Sequence, residues 1–291
     1  MRPDRAVAAT TTQPRLQQIH GFMSPEECEH VIEIAQQHMQ RLVTGNGTGS
    51  GTSINRFWDP VMTRIQRRIS NIIMLPMQNN EDIQILNYAV DQEYPVHTDI
   101  LPDFVIEDSI GWQRMATVLV YLNTVTAGGE TVFPDGLWKD AGVFETEAVN
   151  EEKDARVSDC ARGNVHGRPV AGEAAIFWSV DTSNVEDARS QHAGCPVVEG
   201  EKWAMNFWFH TTAFREMDYI SNLKGYQRKI AQALEEAGLP TADAEPPDGA
   251  KCADRHEMCH DWALSDVCHH VPGVTSACCE SCARFESGEL K

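Results

Sequence analysis

The sequence predicts an α+β protein, in which an antiparallel β core is buttressed on one side by helices and followed by a small cysteine-rich module. Three observations predict it. Capped helical stretches come early, β-branched and aromatic runs take over after residue 80, and six of the nine cysteines crowd into the last forty residues. Helices first and strands afterwards is the order expected of an α+β domain, not of alternating βαβ units.

The first helix is read from "GFMSPEECEHVIEIAQQHM", where Ser24 is the N-cap, Pro25 fits the first helical position and Glu27 completes a capping box. Val31, Ile32, Ala35 and Met39 mark its apolar face. The second, "WDPVMTRIQRRISNIIML", repeats the design, with Asp59 as cap, Pro60 as start and Val61, Ile65, Ile69 and Ile72 as the stripe. Both are expected to support the core and to carry no chemistry. The strands are read from "DIQILNYAV", "QRMATVLVYL", "EAAIFWSV" and "KWAMNFWFH", short runs bounded by Gly, Pro, Asn or Asp, as in a sandwich or barrel.

The stretch "EEAGLPTADAEPPDGAK" lacks apolar periodicity and reads as a linker. The expected organisation is a main domain over residues 14–235, a linker over 236–251 and a cysteine-rich module over 252–285. A formal net charge of -19 disfavours phosphate backbones and anionic membranes, so no nucleic acid partner is expected. No apolar run is long enough to span a bilayer, and "MRPDRAVAATTTQPR" lacks the apolar core of a signal peptide.

The chemistry begins in "YPVHTDILPD". In an extended segment His97 and Asp99 project to one face and offer a nitrogen and a carboxylate oxygen side by side. A third ligand is available in "SQHAGCPVVEGEKWAMNFWFH", where His192 precedes the last strand. Two histidines and one carboxylate on one face of an octahedron suit Fe(II) and leave three positions open. If a 2-oxo acid such as 2-oxoglutarate fills two of them, its far carboxylate needs a buried cation. Lys202 is the candidate, helped by the hydroxyls of Tyr88 and Thr131. Taken singly, His192 reads as a loop residue and Lys202 as a solvated lysine; together with the H-x-D pair they define a site.

The ordered set "IQILNYAVDQEYPVHTD", "QRMATVLVYLNTVTAGGETVFP", "GEAAIFWSV" and "SQHAGCPVVEGEKWAMNFWFH" resembles the prolyl 4-hydroxylases of plants, algae and the animal collagen-modifying enzymes. The resemblance runs from about residue 14 to 215. It implies a double-stranded β-helix (jelly-roll) fold and an Fe(II)- and 2-oxoglutarate-dependent oxidoreductase that hydroxylates peptidyl proline at C4, consuming O2, releasing succinate and CO2, and using ascorbate. By position it implies His97, Asp99 and His192 as iron ligands and Lys202 as the 2-oxoglutarate anchor. It implies Tyr88, Thr131 and Trp208 around that co-substrate, and Tyr94, Arg114 and His210 against a proline-containing peptide. The alternatives are another oxygenase of the same metal class, such as a lysyl hydroxylase, or a binding protein whose tail recognises a partner.

Some segments depart from that pattern. "RLVTGNGTGSGTSINRF" is short and glycine-rich and reads as a mobile lid or an inert surface loop. Trp112 stands where relatives usually carry glycine, and the polar run from Asp135 to Arg168 reads as a solvated insertion. Cys160 and Cys195 are a candidate disulfide near the site.

In the tail, six cysteines permit 15 pairings, and zinc is the rival use, although the spacings fit no usual finger. "CADRHEMCHDWALSDVCHH" followed by "CCESCARF" resembles the ShK-toxin-like module, with Phe285 at the place of the last cysteine and Cys279 as an addition. That resemblance implies bonds from Cys259 to Cys278 and from Cys268 to Cys282, and leaves Cys252 without its usual partner unless Cys279 serves. Disulfides belong in an oxidising compartment, so the endoplasmic reticulum or Golgi lumen is expected, with the signal or anchor trimmed from this chain.

Overall fold

The computed structural model describes residues 7–12, 14–44, 47–102, 112–137, 155–181, 183, 185–242 and 252–290. The chain divides into two compact units, one built from Pro3–Ile54 and Gln78–Phe214, the other from Asn55–Met77 and Arg215–Lys291.

The first unit contains strands β1 (Val7–Thr12), β2 (Arg15–Ile19), β3 (Gln40–Thr44), β4 (Gly47–Ile54), β5 (Ile83–Tyr88), β6 (Tyr94–His97), β7 (Arg114–Tyr121), β8 (Ala127–Gly128), β9 (Thr131–Phe133), β10 (Val165–Gly167), β11 (Ala174–Trp178), β12 (His192–Gly194), β13 (Val197–Glu199) and β14 (Lys202–His210). An eight-stranded antiparallel sheet runs β1-β2-β11-β7-β14-β5-β4-β3, and a four-stranded one runs β10-β9-β12-β6. These are the major and minor sheets of a jelly roll. Its interior joins Phe133 and Val165 of the minor sheet to Leu119, Tyr121, Phe177 and Ala204 of the major. Along β14 the pleat sends Met205, Phe207 and Phe209 to the other, also buried, face, which accounts for its nearly continuous apolar run.

Helix α1 (Pro25–Gln36) has the expected capping box, with Ser24 Oγ accepting from Glu27 N–H and the Glu27 carboxylate accepting from Ser24 N–H. It buries Cys28, Val31 and Ala35 and packs against β4. Gly128, at φ 75°, shows why the "AGGETVFP" turn needs glycine: a Cβ there would come within 2.4 Å of the Pro196 carbonyl oxygen.

Two local readings are corrected. The glycine-rich stretch is not a loop where it is described: β3 and β4 pair with each other, and β4 pairs with β5 from Ser50↔Asn87 to Ile54↔Ile83, so its small residues extend the major sheet. Gly49 fits there because a Cβ would meet the Tyr88 ring and the Asn87 carbonyl oxygen at 3.2 Å, closer than an ordinary van der Waals contact. The polar insertion is not simply solvated. Where it is described, Val157, Ala161 and Val165 are buried, β10 pairs with β9, and Glu130 accepts hydrogen bonds from the Ser158 amide and hydroxyl at 2.9 and 2.7 Å. The Cys160–Cys195 disulfide fixes this segment close after β12.

The second unit contains α2 (Pro60–Ile73), α3 (Glu216–Glu236), α4 (Cys259–Leu264), α5 (Val274–Ala277) and α6 (Cys279–Glu286). Asp59 caps α2 by accepting from the Met62 amide. The expected boundary at 235/236 is therefore not where the compact units part. Phe57, Tyr226, Ile230 and Leu234 share one core with Trp262, Val267, Val271, Val274 and the disulfide cysteines. Arg64 pairs with Asp261, Arg67 with Asp266, and Ser265 donates to the Pro60 carbonyl at 3.0 Å. Most of the expected linker lies outside the described residues. The bonds are Cys252–Cys279, Cys259–Cys278 and Cys268–Cys282, so Cys279 does serve Cys252.

Candidate metal and co-substrate site

Strand pairing assembles the metal ligands. His97 ends β6 directly across from His192, which opens β12, and Asp99 follows just beyond β6. The ligand atoms of His97, Asp99 and His192 all lie within 4.8 Å of one another, the one such cluster among the described residues. Asp99 Oδ1 is 3.7 Å from His97 Nε2, and Oδ2 is 3.7 Å from His192 Nε2. Those gaps are too long for hydrogen bonds and leave room for an ion between the three groups.

Each ligand is oriented by a hydrogen bond to a group behind it. His97 Nδ1 faces the Pro95 carbonyl at 2.8 Å and His192 Nδ1 the Ser190 carbonyl at 2.9 Å, so both Nδ1 atoms carry the proton and both Nε2 lone pairs point inward. Burial, followed by the neighbouring His192, lowers the His97 pKa and keeps the ring neutral. Burial alone would raise Asp99, but His192 and a hydrogen bond from the Thr117 hydroxyl hold its carboxyl below the usual range. Aromatic rings wall the triad: Phe177 lies 4.6 Å and Phe133 5.8 Å from the His192 ring, and Tyr94 lies 4.4 Å from His97. Two imidazoles with Nε2 turned inward and a carboxylate, each aimed by a second group, fit Fe(II).

Lys202 opens β14 opposite Tyr88, the last residue of β5. The residue is only 4% exposed, and its ammonium sits 5.7 Å from the Tyr88 ring and 5.6 Å from the Tyr121 ring. Among the described residues no carboxylate pairs with it, and Glu130 is spent on Ser158. Burial pushes its pKa down to about 8, against the pull of Glu130. Thr131 is buried opposite Gly194 and hydrogen-bonded to the Tyr121 hydroxyl. A side chain at Gly194 would begin 3.8 Å from Lys202 Nζ, so glycine keeps the space before the ammonium clear. A buried cation without a counter-charge, ringed by hydroxyls, is a receptor for a carboxylate.

The remaining residues form a separate group. Trp208 pairs with Thr117, and along an extended strand it lies roughly 20 Å from Lys202. It therefore stands away from the Lys202 end of the pocket, across from the Thr117 that bonds Asp99, and its indole lies under the Arg114 guanidinium, 4.0 Å away. Arg114 donates to Glu81 from Nε at 2.5 Å and from Nη2 at 3.1 Å. His210 is fully buried, with Nε2 2.8 Å from Glu81 and Nδ1 2.8 Å from the Trp112 carbonyl, so it is placed to hold Glu81 and not to line an open groove. Burial alone would raise Glu81, but the bonds from His210 and Arg114 keep its carboxyl below the usual range.

Thr117, Tyr121 and Glu81 were missed in the sequence. Thr117 and Tyr121 are hidden in the apolar run "MATVLVYL", where the pleat that points Thr117 to Asp99 also points Tyr121 to Lys202. Glu81 lies in a polar stretch, and nothing in its spacing marks it.

The sequence model of the 2OG-Fe(II) oxygenase superfamily matches residues 83–210, which span every metal and Lys202-pocket residue above. Prolyl 4-hydroxylase 2 of Arabidopsis thaliana is 33% identical over 297 residues, covering 95% of this chain and 88% of that protein. This chain belongs to the prolyl 4-hydroxylase family. Prolyl 4-hydroxylase 5 of the same plant is 36% identical, covering 73% of this chain and 74% of that protein. Among solved structures, the viral collagen prolyl hydroxylase vCPH from Paramecium Bursaria Chlorella virus-1, in its 2OG complex, superposes with a TM-score of 0.48 at 25% identity, covering 66% of this chain and 94% of that one. The protein is thus an Fe(II)- and 2-oxoglutarate-dependent dioxygenase of the prolyl 4-hydroxylase family, an oxidoreductase with an ascorbate requirement typical of that family. The lysyl hydroxylase and binding-protein alternatives are not favoured.

Proposed function

We propose that His97, Asp99 and His192 hold the iron, that Lys202 anchors the far carboxylate of 2-oxoglutarate, and that a peptidyl proline is hydroxylated at C4 beside Tyr94 and Arg114. The observation that carries this reading is the unpaired, buried Lys202 ammonium in the same jelly roll as the inward-facing triad. When bound, the iron lets O2 and 2-oxoglutarate convert a C4–H into a C4–OH, with one oxygen atom going to the proline and the other to succinate as CO2 leaves.

The chain's own groups govern placement. Lys202 neutralises the incoming carboxylate, and Thr131 and Tyr88 supply hydroxyls around it. Thr117 holds the Asp99 carboxylate in one orientation. Phe133 and Phe177 exclude water from the His192 side. Arg114, fixed by Glu81 and stacked on Trp208, has unsatisfied donor capacity to offer a peptide carbonyl. The buried Trp208 Nε1 has no hydrogen-bond partner among the described residues and is a second donor for the peptide.

Four disulfides support residence in an oxidising secretory lumen. The order and pairing of the tail cysteines support an ShK-toxin-like module. No helix among the described residues is long and apolar enough to cross a membrane. The decisive experiment measures succinate formed from 2-oxoglutarate with Fe(II), ascorbate and a panel of proline-rich and collagen-like peptides, with 4-hydroxyproline assayed in the product. Peptide-stimulated turnover lost in His192→Ala is expected; its absence in the unaltered protein, or its survival in that variant, would reject the reading.

A further inference from the structure

We infer that Trp112 is a substrate contact, whose indole packs against a prolyl or aliphatic residue flanking the target proline. This rests on the prolyl hydroxylase reading of the site and adds a residue to it. Trp112 has φ 57°, in the left-handed region that a bulky side chain enters only at a conformational cost. The backbone is held there from several sides. The Trp112 carbonyl accepts from His210 Nδ1 at 2.8 Å, and the next residue, Gln113, accepts from the Leu101 amide at 2.7 Å and donates to the Leu101 carbonyl at 3.0 Å. The Gln113 carbonyl also accepts from the Thr211 amide at 3.0 Å.

That anchoring does nothing to bury the side chain. The indole is 53% exposed and, among the described residues, has no ring, cation–π or hydrogen-bond partner. Its position is nevertheless tied to the reaction centre. Leu101 lies two residues beyond the metal ligand Asp99, Arg114 lies two residues after Trp112, and His210 joins the Trp112 carbonyl to the Glu81 carboxylate that fixes Arg114. A strained, over-determined backbone thus presents a large exposed aromatic two residues before Arg114, on the hydrogen-bond network that fixes that arginine. Flat rings of this kind receive prolyl and aliphatic side chains with little loss of conformational freedom.

The test compares the unaltered protein with Trp112→Gly and Trp112→Phe on two peptides, Gly-Pro-Pro-Pro-Gly and Gly-Glu-Pro-Glu-Gly, by peptide-dependent succinate formation and hydroxyproline analysis. Trp112→Gly is expected to raise KM for the proline-flanked peptide about tenfold, with kcat changed less than about twofold, as for loss of a uniform binding contact. Trp112→Phe is expected to keep KM within about threefold of the unaltered protein. The thermal midpoint of Trp112→Gly should be unchanged or higher, because glycine adopts this φ without strain. Equal KM values for the unaltered and Gly proteins, the same rise for both peptides, or equal losses in Phe and Gly would overturn the inference. If the unaltered protein hydroxylates neither peptide nor any of the wider panel, the underlying reading fails first and is recognised by that result.

Discussion

Lys202 faces Tyr88 across the β14–β5 pair, with its ammonium nearly equidistant from the Tyr88 and Tyr121 rings at 5.7 and 5.6 Å. This places one positive charge between two aromatic rings with no carboxylate in ion-pair contact among the described residues, Glu130 acting on it only from a distance. The site is therefore costly when empty and strongly attractive to a dianionic co-substrate.

The Lys202 pKa of about 8, lowered by burial, sets a pH dependence. The ammonium is present below about 8, and 2-oxoglutarate binding should be flat there. As pH rises through that value the free enzyme loses the charge, each binding event must take up a proton, and KM for 2-oxoglutarate should climb by up to about tenfold per pH unit. In the co-substrate-free protein the sign is opposite. The unfolded chain binds more protons between about 8 and 10.5, so stability rises with pH over that window. Lys202→Met should raise KM for 2-oxoglutarate about 30-fold or more without lowering the thermal midpoint of the free enzyme. Steady-state kinetics against pH and calorimetry check both halves.

The Thr117 hydroxyl donates to the buried metal ligand Asp99. Thr117→Val should weaken Mn(II) or Co(II) binding about 10- to 100-fold, the usual effect of removing an outer-shell partner, while Thr117→Ser should restore it. Metal titration followed by spectroscopy reads this independently of turnover. Equal affinity in the Val variant would show that Asp99 is oriented by packing alone.

Glu81 joins Arg114 and His210, and all three are largely buried. Glu81→Gln leaves the Arg114 charge short of its partner and should cost about 3 kcal/mol of stability. It should also raise peptide KM while leaving KM for 2-oxoglutarate within about twofold, because the Lys202 pocket lies at the opposite end of β14. The folded Glu81 carboxyl is held below its ordinary value, so its contribution is complete above the unfolded pKa and is lost as pH falls through the lower, folded one. Chemical unfolding at neutral and acidic pH should show the difference between variant and unaltered protein shrinking in acid.

Features set by neighbours in sequence were legible, and those set by distant packing were less so. Ser24, Pro25 and Glu27 announce α1, and Asp59 and Pro60 announce α2, because caps act within one turn. The ligands His97, Asp99 and His192, with Lys202, were visible because their residue types are uncommon together and their motifs recur in order. Gly47–Ile54 read as loose because glycine hides the pairing that makes it a strand, a pairing supplied by β3 and β5. His210 read as a groove residue because its burial depends on Glu81 and the Trp112 carbonyl, far off in the chain. The membership of α2 in the cysteine-rich unit depends on contacts from Arg64 and Arg67 to residues near 260, which no local pattern records.

That membership changes what the tail is expected to do. Because Tyr226, Ile230 and Leu234 of α3 share a core with Trp262 and Val274, removing residues 252–291 uncovers an apolar face of a helix outside the module. The truncated chain should therefore lose stability and aggregate, where a freely appended module would leave it unaffected. The three bonds should also differ. Cys252 is exposed, whereas Cys259, Cys278, Cys268 and Cys282 are buried in the shared core. Replacing Cys252 and Cys279 by alanine removes chiefly a loop constraint, worth about 3 kcal/mol, while replacing Cys259 and Cys278 adds the loss of buried packing. Thermal midpoints should fall more for the second pair than for the first. Equal falls, or a truncated chain as stable as the whole, would show that the module contributes nothing to the helices it covers.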